Sequence, residues 1–332
     1  MGTKLKDIMS GREIKPSELS GKTIAIDAFN WIFQFLTTIR MADGSYLTDK
    51  EGRITTHLNG LFYRSINLLS NKINPVFVFD GPAPKFKKKT LEERKTLKEE
   101  AIALSKSAST PEEKAMYLRR AARIDDYIVE SSKELLNLMG ISTIQAPAEG
   151  EAQAAKLSED SLVYAAASQD YDTFLFGAKR VVRNLNVTNR RKVLRKGISS
   201  AVMPEVFETS ECLNKLGISR EGLILIALFS GTDYNRGVNG VGPKKALQLV
   251  KKKDKASLLS SYDFGSDYDI NDIFGYFLHP NVLKLDSLPQ QKKLDTGGLL
   301  DFLCEKHGFE KDRVLQSIEK LDIKQGSLFD YG

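Results

Sequence analysis

The sequence predicts an α/β protein organised around a parallel β-sheet. Two observations carry this. Continuous apolar runs of strand length recur through the first half of the 332 residues, and each ends in an acidic residue. Between them lie segments of helical character at 55–71, 90–139 and 149–159. Unbroken apolar strands belong to sheets covered on both faces, and alternating strands and helices build a parallel sheet. Composition agrees: 41% hydrophobic and 28% charged residues suit a folded soluble chain with a sizeable core.

Several classes are disfavoured at once. Two cysteines, Cys212 and Cys304, and three histidines exclude a Cys/His zinc cluster and argue against a disulfide scaffold. The start, MGTKLKDIMSGREIK, lacks a signal-like apolar stretch, and no apolar run reaches membrane length. Lys6 breaks the myristoylation pattern. The expected location is the cytoplasm.

The elements follow in order. KTIAIDA, 22–28, reads as a buried strand ending in Asp27, and NPVFVFDG, 74–81, as a second ending in Asp80. From Lys85 to Arg123 the chain is polar and helical, with twelve basic and six acidic residues. That local excess equals the net charge of the whole chain, +6. Composition alone leaves this insertion either a grip for a polyanion or a solvated helical hairpin. LVYAAASQDYD, 162–172, reads as a third strand, carrying Asp170 and Asp172. VVRNLNVTNRRKVL, 181–194, reads as a β-hairpin around Thr188-Asn189. LILIALFSGTDY, 223–234, looks helical and reaches Asp233 just beyond its end. From Val206 onward the pattern is mainly helical, and QGSLFDYG forms a tail.

A single aspartate after a strand is ordinarily a cap or turn residue. Three such strands are harder to dismiss. In parallel sheets ligands gather beyond the carboxyl ends of the strands. Asp170 and Asp172 are two apart, and an extended chain would turn both to one side. Glu149 and Glu151, in APAEGEAQAA, cannot share a regular helical face, so at least one sits at a helix entrance near Pro147 and Gly150. Seven carboxylates at one edge repel unless cations compensate them. All-oxygen ligands suit Mg2+ or Mn2+. Two ions about 3.5–4 Å apart would serve phosphoryl displacement.

GVNGVGPKKAL, 237–247, adds a phosphate signal. Gly240 and Gly242 permit a tight turn, Pro243 starts a helix, and Lys244 and Lys245 stand at its N-terminus. This has the form of a helix-hairpin-helix, which holds a DNA backbone without reading sequence; an ordinary helix–helix turn is the plainer alternative. A metal-dependent phosphatase would also carry strand-end aspartates, but Asp27-Ala28-Phe29 lacks its D-x-D. A non-catalytic DNA scaffold would not need the carboxylates.

The blocks IAIDAFNWIFQFL, PVFVFDGPAP, QAPAEGEAQAA, ASQDYDTFLFG and SGTDYNRGVNGVGPKKAL run in this order nearly end to end. In them the chain resembles the flap endonucleases of the structure-specific 5′-nuclease superfamily, archaeal type. The resemblance implies one nuclease domain, 1–324, with a PIN-like α/β core. Its parts are an N-terminal region (1–84), a helical arch (85–131), an internal region with a helix-two-turn-helix (132–260) and a C-terminal helical region (261–324). Residues 325–332 would bind a sliding clamp. It implies removal of 5′ DNA flaps, with 5′–3′ exonuclease action, in replication and repair. A 5′ exonuclease or a junction resolvase of the same superfamily would share the carboxylates.

Carried residue by residue, Asp27, Asp80, Glu149 and Glu151 resemble one metal site, and Asp170, Asp172 and Asp233 a second. The ions implied are two Mg2+, with Mn2+ as substitute, and a K+ at the helix-two-turn-helix. Lys87 and Arg94 match basic residues that act on the scissile phosphate. DNA contacts are implied for Gly2, Phe33, Arg40, Lys85 and Lys88; Phe33 stands where the family commonly has Tyr. In the tail, Gln325, Leu328 and Tyr331 fit the clamp pattern, while Gly332 replaces its last aromatic and Phe329 stands nearby. The chain is expected to be a monomer.

Overall fold

The computed structural model describes residues 5–185, 191–192, 199–200 and 202–326. Its strands are β1 (Arg12–Glu13), β2 (Thr23–Asp27), β3 (Asn74–Phe79), β4 (Thr143–Gln145), β5 (Ala165–Ala167), β6 (Arg180–Arg183), β7 (Arg191–Lys192), β8 (Ser199–Ser200) and β9 (Glu205–Glu208). Seven of them form one sheet in the order β1-β9-β6-β5-β2-β3-β4. The five from β6 to β4 are parallel, and β9 and β1 add antiparallel at one edge.

The helices are α1 (Ala28–Thr38), α2 (Thr56–Ser70), α3 (Lys88–Lys106), α4 (Pro111–Arg120), α5 (Asp126–Leu138), α6 (Gly150–Glu159), α7 (Asp172–Leu175), α8 (Thr209–Leu216), α9 (Arg220–Ser230), α10 (Pro243–Lys252), α11 (Lys255–Ser261), α12 (Ile270–Leu278), α13 (Thr296–Leu300) and α14 (Lys311–Gly326). A π-helical run, Asp301–Lys306, continues α13.

The sheet is covered on both faces, as its unbroken apolar strands require. Successive side chains of a strand point to opposite faces. Ala25, Val76 and Val78 therefore pack with α6, α7, α9 and α12. Ile24, Ile26, Phe77 and Phe79 pack with α1, α2, α5 and α14 on the other side. Gly60 lets α2 lie close on α1, since a Cβ there would meet the Phe35 ring at 2.2 Å. On this second face a buried hydrogen-bonded cluster ties the loop before α2 to the end of the π run. Asp49 accepts from Arg53 Nε at 2.8 Å and pairs with His307 Nδ1 at 3.0 Å.

Several expectations change. β5 is three residues long, and the chain leaves it before Asp170. β6 pairs with β5 and β9, whereas β7 pairs with β8, so 181–194 is not one hairpin; its turn lies outside the described residues. Val206 falls in β9 before the helical stretch starts. α5 starts inside the segment read as arch and buries Ile128, Leu135 and Leu136 in the core. The other helices of that segment are α3 and α4, whose side chains are largely exposed.

Candidate active site

Six of the seven carboxylates sit at or just beyond the C-terminal ends of β2, β3 and β5 or at the entrance of α6; the seventh follows α9. Asp27 ends β2 and also caps α1, accepting from Asn30 N at 3.0 Å. The cap reading and the site reading thus both hold for this residue. Asp80 follows β3 and accepts from Gly150 N at 2.6 Å. Only glycine permits that approach, because a Cβ on Gly150 would lie 2.7 Å from Asp80 Oδ1. Glu149 occupies the N-cap position of α6 and Glu151 its first turn. Asp233 lies beyond α9.

Asp170 and Asp172 reach the site differently from the strand reading. Ser168 Oγ accepts from Asp170 N at 3.0 Å and turns the chain out of the sheet. Tyr171 is in the helical region and Asp172 is the first residue of α7. Tyr171 points into the core, stacked on Phe174. The two carboxylates meet around Glu151 because of this turn, not because of an extended backbone.

Donors from five segments hold the acids. Lys87 Nζ, at the root of α3, donates to Glu149 Oε1 at 2.6 Å and lies 3.6 Å from Asp233 Oδ2. Arg94, two turns into α3, bonds both oxygens of Asp233 at 2.7 and 2.8 Å. Thr90 Oγ1 donates to the Asp233 carbonyl at 2.6 Å. Tyr234 OH donates to Glu149 Oε2, and Tyr276 OH reaches the same oxygen at 3.2 Å. Ser168 and Thr173 hydroxyls donate to Glu151 Oε1 at 2.5 and 3.1 Å. Asn30 Nδ2 donates to Asp170 Oδ2 at 3.3 Å. Sequence reasoning missed Asn30, Ser168, Thr173, Tyr234 and Tyr276. Tyr234 adjoins Asp233 and Ser168 precedes Asp170 by two, which were usable signals; Tyr276 has none.

The electrostatics are those of crowded like charges. Burial, and then the charge of Asp80, raises the Asp27 carboxyl above its usual range. Burial also raises Asp80, against the Gly150 N–H and Lys87. Glu151 is pushed well up by burial and by Asp170, Asp172 and Asp27. Burial alone would lower Lys87, but Glu149, Asp233 and Asp80 raise it, so its ammonium stays charged. Burial and the Glu149 charge raise both phenols, which remain protonated donors. Among the described residues no three acids converge into a ready-made metal cage; Lys87 and Arg94 hold two of the seven acids. The donor set is nevertheless all carboxylate, crowded and short of positive charge, which fits hard divalent cations.

The remaining predicted residues fall around this centre. Phe33 is 41% exposed on α1, so it is a surface ring and not a core residue. Lys85 and Lys88 are exposed at the root of α3. Arg40 is tied into the fold. Its guanidinium donates to the carbonyls of Leu36, Gly44 and Leu118 and stacks on Tyr46, tying α1 to α4. Gly242 caps α10 and Pro243 is its first residue, with Lys244 and Lys245 exposed beside it. Gly240 takes φ +72°, which the turn between α9 and α10 needs. Gly2, Leu328, Phe329 and Tyr331 lie outside the described residues, and Gln325 lies in the last turn of α14.

Comparison with known proteins adds to this geometry. Residues 2–101 match the XPG N-terminal domain and residues 140–233 the XPG I-region. All seven carboxylates, Lys87 and Arg94 fall inside those two stretches. The chain is 47% identical over 332 residues to flap endonuclease 1 of Pyrococcus horikoshii, covering 98% of this chain and 96% of that protein. It superposes on the flap endonuclease-1 of Methanococcus jannaschii with a TM-score of 0.76 at 36% identity, covering 98% and 99% of the two chains. The catalytic core of Rad2 in complex with DNA substrate shares the fold, with a TM-score of 0.72 at 23% identity over 97% of this chain and 100% of that one.

Proposed function

The chain belongs to the flap endonuclease 1 family, and from that premise we propose a division of labour among its residues. The protein is a metal-dependent 5′-flap endonuclease, a hydrolase acting on branched DNA in replication and repair. We assign Asp27, Asp80, Glu149 and Glu151 to one Mg2+ and Asp170, Asp172 and Asp233 to a second, with Glu151 near both and Mn2+ able to substitute. When bound, such a pair supplies an activated water and stabilises the attacking and leaving oxygens of the displacement.

One observation carries the assignment of the protein side chains. Lys87 and Arg94 reach from the arch into the acids of the sheet edge, at 2.6 and 2.7 Å. Two fixed cations at the rim of a buried acidic cluster are placed to draw in a phosphate and stabilise charge that develops on it. Phe33 offers an exposed ring for a base beside the cut. Lys85 and Lys88 extend the basic rim of the arch. Across the site, the N–H groups of α10, Gly240 and Gly242, and Lys244 and Lys245 form a backbone-phosphate contact on the duplex. We place a K+ at this helix-two-turn-helix. Gly2 is assigned to the active-site side of the DNA and the segment from Gln325 to Tyr331 to a sliding clamp, and the chain acts as a monomer. No helix among the described residues is long and apolar enough to cross a membrane.

The test is cleavage of a labelled double-flap DNA with and without Mg2+, beside a 3′-flap and a plain duplex. A discrete Mg2+-dependent cut at the base of the 5′ flap is expected. Equal cleavage of all three DNAs would remove the assigned roles of the arch and the α9–α10 turn. Binding with no cleavage under any divalent ion would remove the metal assignment.

A further inference from the structure

We propose that Tyr276, with Tyr234, is a positioning residue of the reaction: the two phenols fix Oε2 of Glu149, so that the oxygen turned toward a cation is Oε1, the one that Lys87 holds at 2.6 Å. The inference rests on the assignment of Glu149 as a metal ligand. Glu149 lies at the N-cap of α6 but its side chain caps nothing. Its Oε2 instead accepts from Tyr234 OH and, at 3.2 Å, from Tyr276 OH. Its Oε1 accepts from Lys87 Nζ at 2.6 Å. A carboxylate anchored through Oε2 cannot rotate freely, so the phenols set the direction in which Oε1 would be offered to a cation in place of Lys87.

Tyr276 is not a local neighbour of the acids. It comes from α12, beyond the α9–α10 turn. Its ring packs edge-on against Tyr234, centroids 5.6 Å apart, and against Phe86 at 5.6 Å. Phe86 is buried and immediately precedes Lys87. The same C-terminal segment holds the arch root a second time, through Tyr268 OH on the Lys85 carbonyl at 2.8 Å. One residue therefore meets Glu149 through its hydroxyl and, through its ring, Phe86, the neighbour of Lys87. Removing the Tyr276 hydroxyl alone leaves the packing and leaves Glu149 Oε2 on Tyr234 only.

The experiment is Mn2+ binding to the DNA-free full-length protein, followed by the loss of free-ion electron paramagnetic resonance signal. Wild type, Tyr276→Phe, Tyr234→Phe and Glu149→Gln are compared. Second-layer partners of metal ligands are worth about 10–100-fold in affinity. Tyr276→Phe should weaken Mn2+ binding about tenfold, the lower end, because Tyr234 remains. The Mg2+ concentration for half-maximal flap cleavage should rise by a similar factor. The rate at saturating Mg2+ should return to within about threefold of wild type, a split that a merely misfolded variant would not give. If Tyr276→Phe fails to fold, Tyr234→Phe carries the same test. Mn2+ affinity within about twofold of wild type in the phenol variants, with Glu149→Gln weakened, overturns this proposal alone. An unchanged affinity in Glu149→Gln overturns it together with the ligand assignment.

Discussion

Replacing Lys87 by Met keeps the stem and removes the ammonium. The side chain is 20% exposed and its nitrogen touches Glu149 at 2.6 Å and Asp233 at 3.6 Å. At an effective dielectric near 20, a pair of charges about 3.6 Å apart attracts by roughly 4–5 kcal/mol before desolvation. Truncating one partner of such a buried pair costs about 3–5 kcal/mol. Here the loss should lie at or below that lower limit, about 2–3 kcal/mol in EDTA, because Glu149 keeps its two phenol donors and Asp233 keeps Arg94. Added Mg2+ should restore much of it, so the metal-induced rise in melting temperature should be larger in the variant than in wild type. Catalysis should not be restored. Losing one fixed cation beside the scissile phosphate costs about 10²–10³-fold, or roughly 3–4 kcal/mol, in single-turnover cleavage at saturating enzyme and Mg2+. Rapid-quench cleavage of a double-flap DNA and thermal denaturation with EDTA or Mg2+ measure the two effects. Cleavage within fivefold of wild type, or the same Mg2+ shift in both proteins, would refute the reasoning.

Asp172→Asn should leave DNA affinity in Ca2+ near wild type and abolish cleavage in Mg2+; near-normal turnover would remove Asp172 from the metal site. Neutralising Lys244 and Lys245 together should weaken binding uniformly across sequences and reduce the log–log salt slope by about 2, measured by fluorescence anisotropy from low to moderate salt; an unchanged slope would contradict phosphate contact at α10. Burial alone would raise the Asp49 carboxyl, but hydrogen bonds from His307 and Arg53 hold it down, to about 2. A depressed folded value means stability present above the usual carboxylate range and lost as pH falls toward 2. Asp49→Asn should therefore lower stability by about 2 kcal/mol at neutral pH and by little near pH 2; parallel melting-temperature profiles for variant and wild type would exclude this linkage.

The carboxylates on β2 and β3 were legible because a continuous apolar run predicts both the strand and where it stops. An acid at that stop is visible without knowing the partners. Asp170 and Asp172 were legible as a pair but not in their geometry. The turn is made by the Ser168 hydroxyl, and Tyr171 is drawn into the core against Phe174. Alternation alone cannot see that competition. Short strands such as β4 and β9 were unread because three or four residues carry too little periodicity. The start of α5 was readable in its apolar spacing, Ile128 then Leu135 and Leu136, which marks a core helix and not an exposed arch. Arg40 came from the resemblance, and the three carbonyls that it satisfies in the fold had no signal in the sequence. Tyr276 had no local signature, because its role exists only once α12 folds back over the root of α3.

The acids are far apart along the chain, from Asp27 to Asp233, and the phenol that steadies Glu149 comes later still, at Tyr276. Even the short β1, near the start, finds its pairing partner only when β9 exists. A ribosome adding about 5–20 residues per second needs roughly 10–50 s to travel from the first acid to that phenol. From Arg123 until Asp233 is added, the emerging polypeptide carries its basic segment without the full set of seven acids. The basic segment thus precedes the completed acidic edge in the order of synthesis.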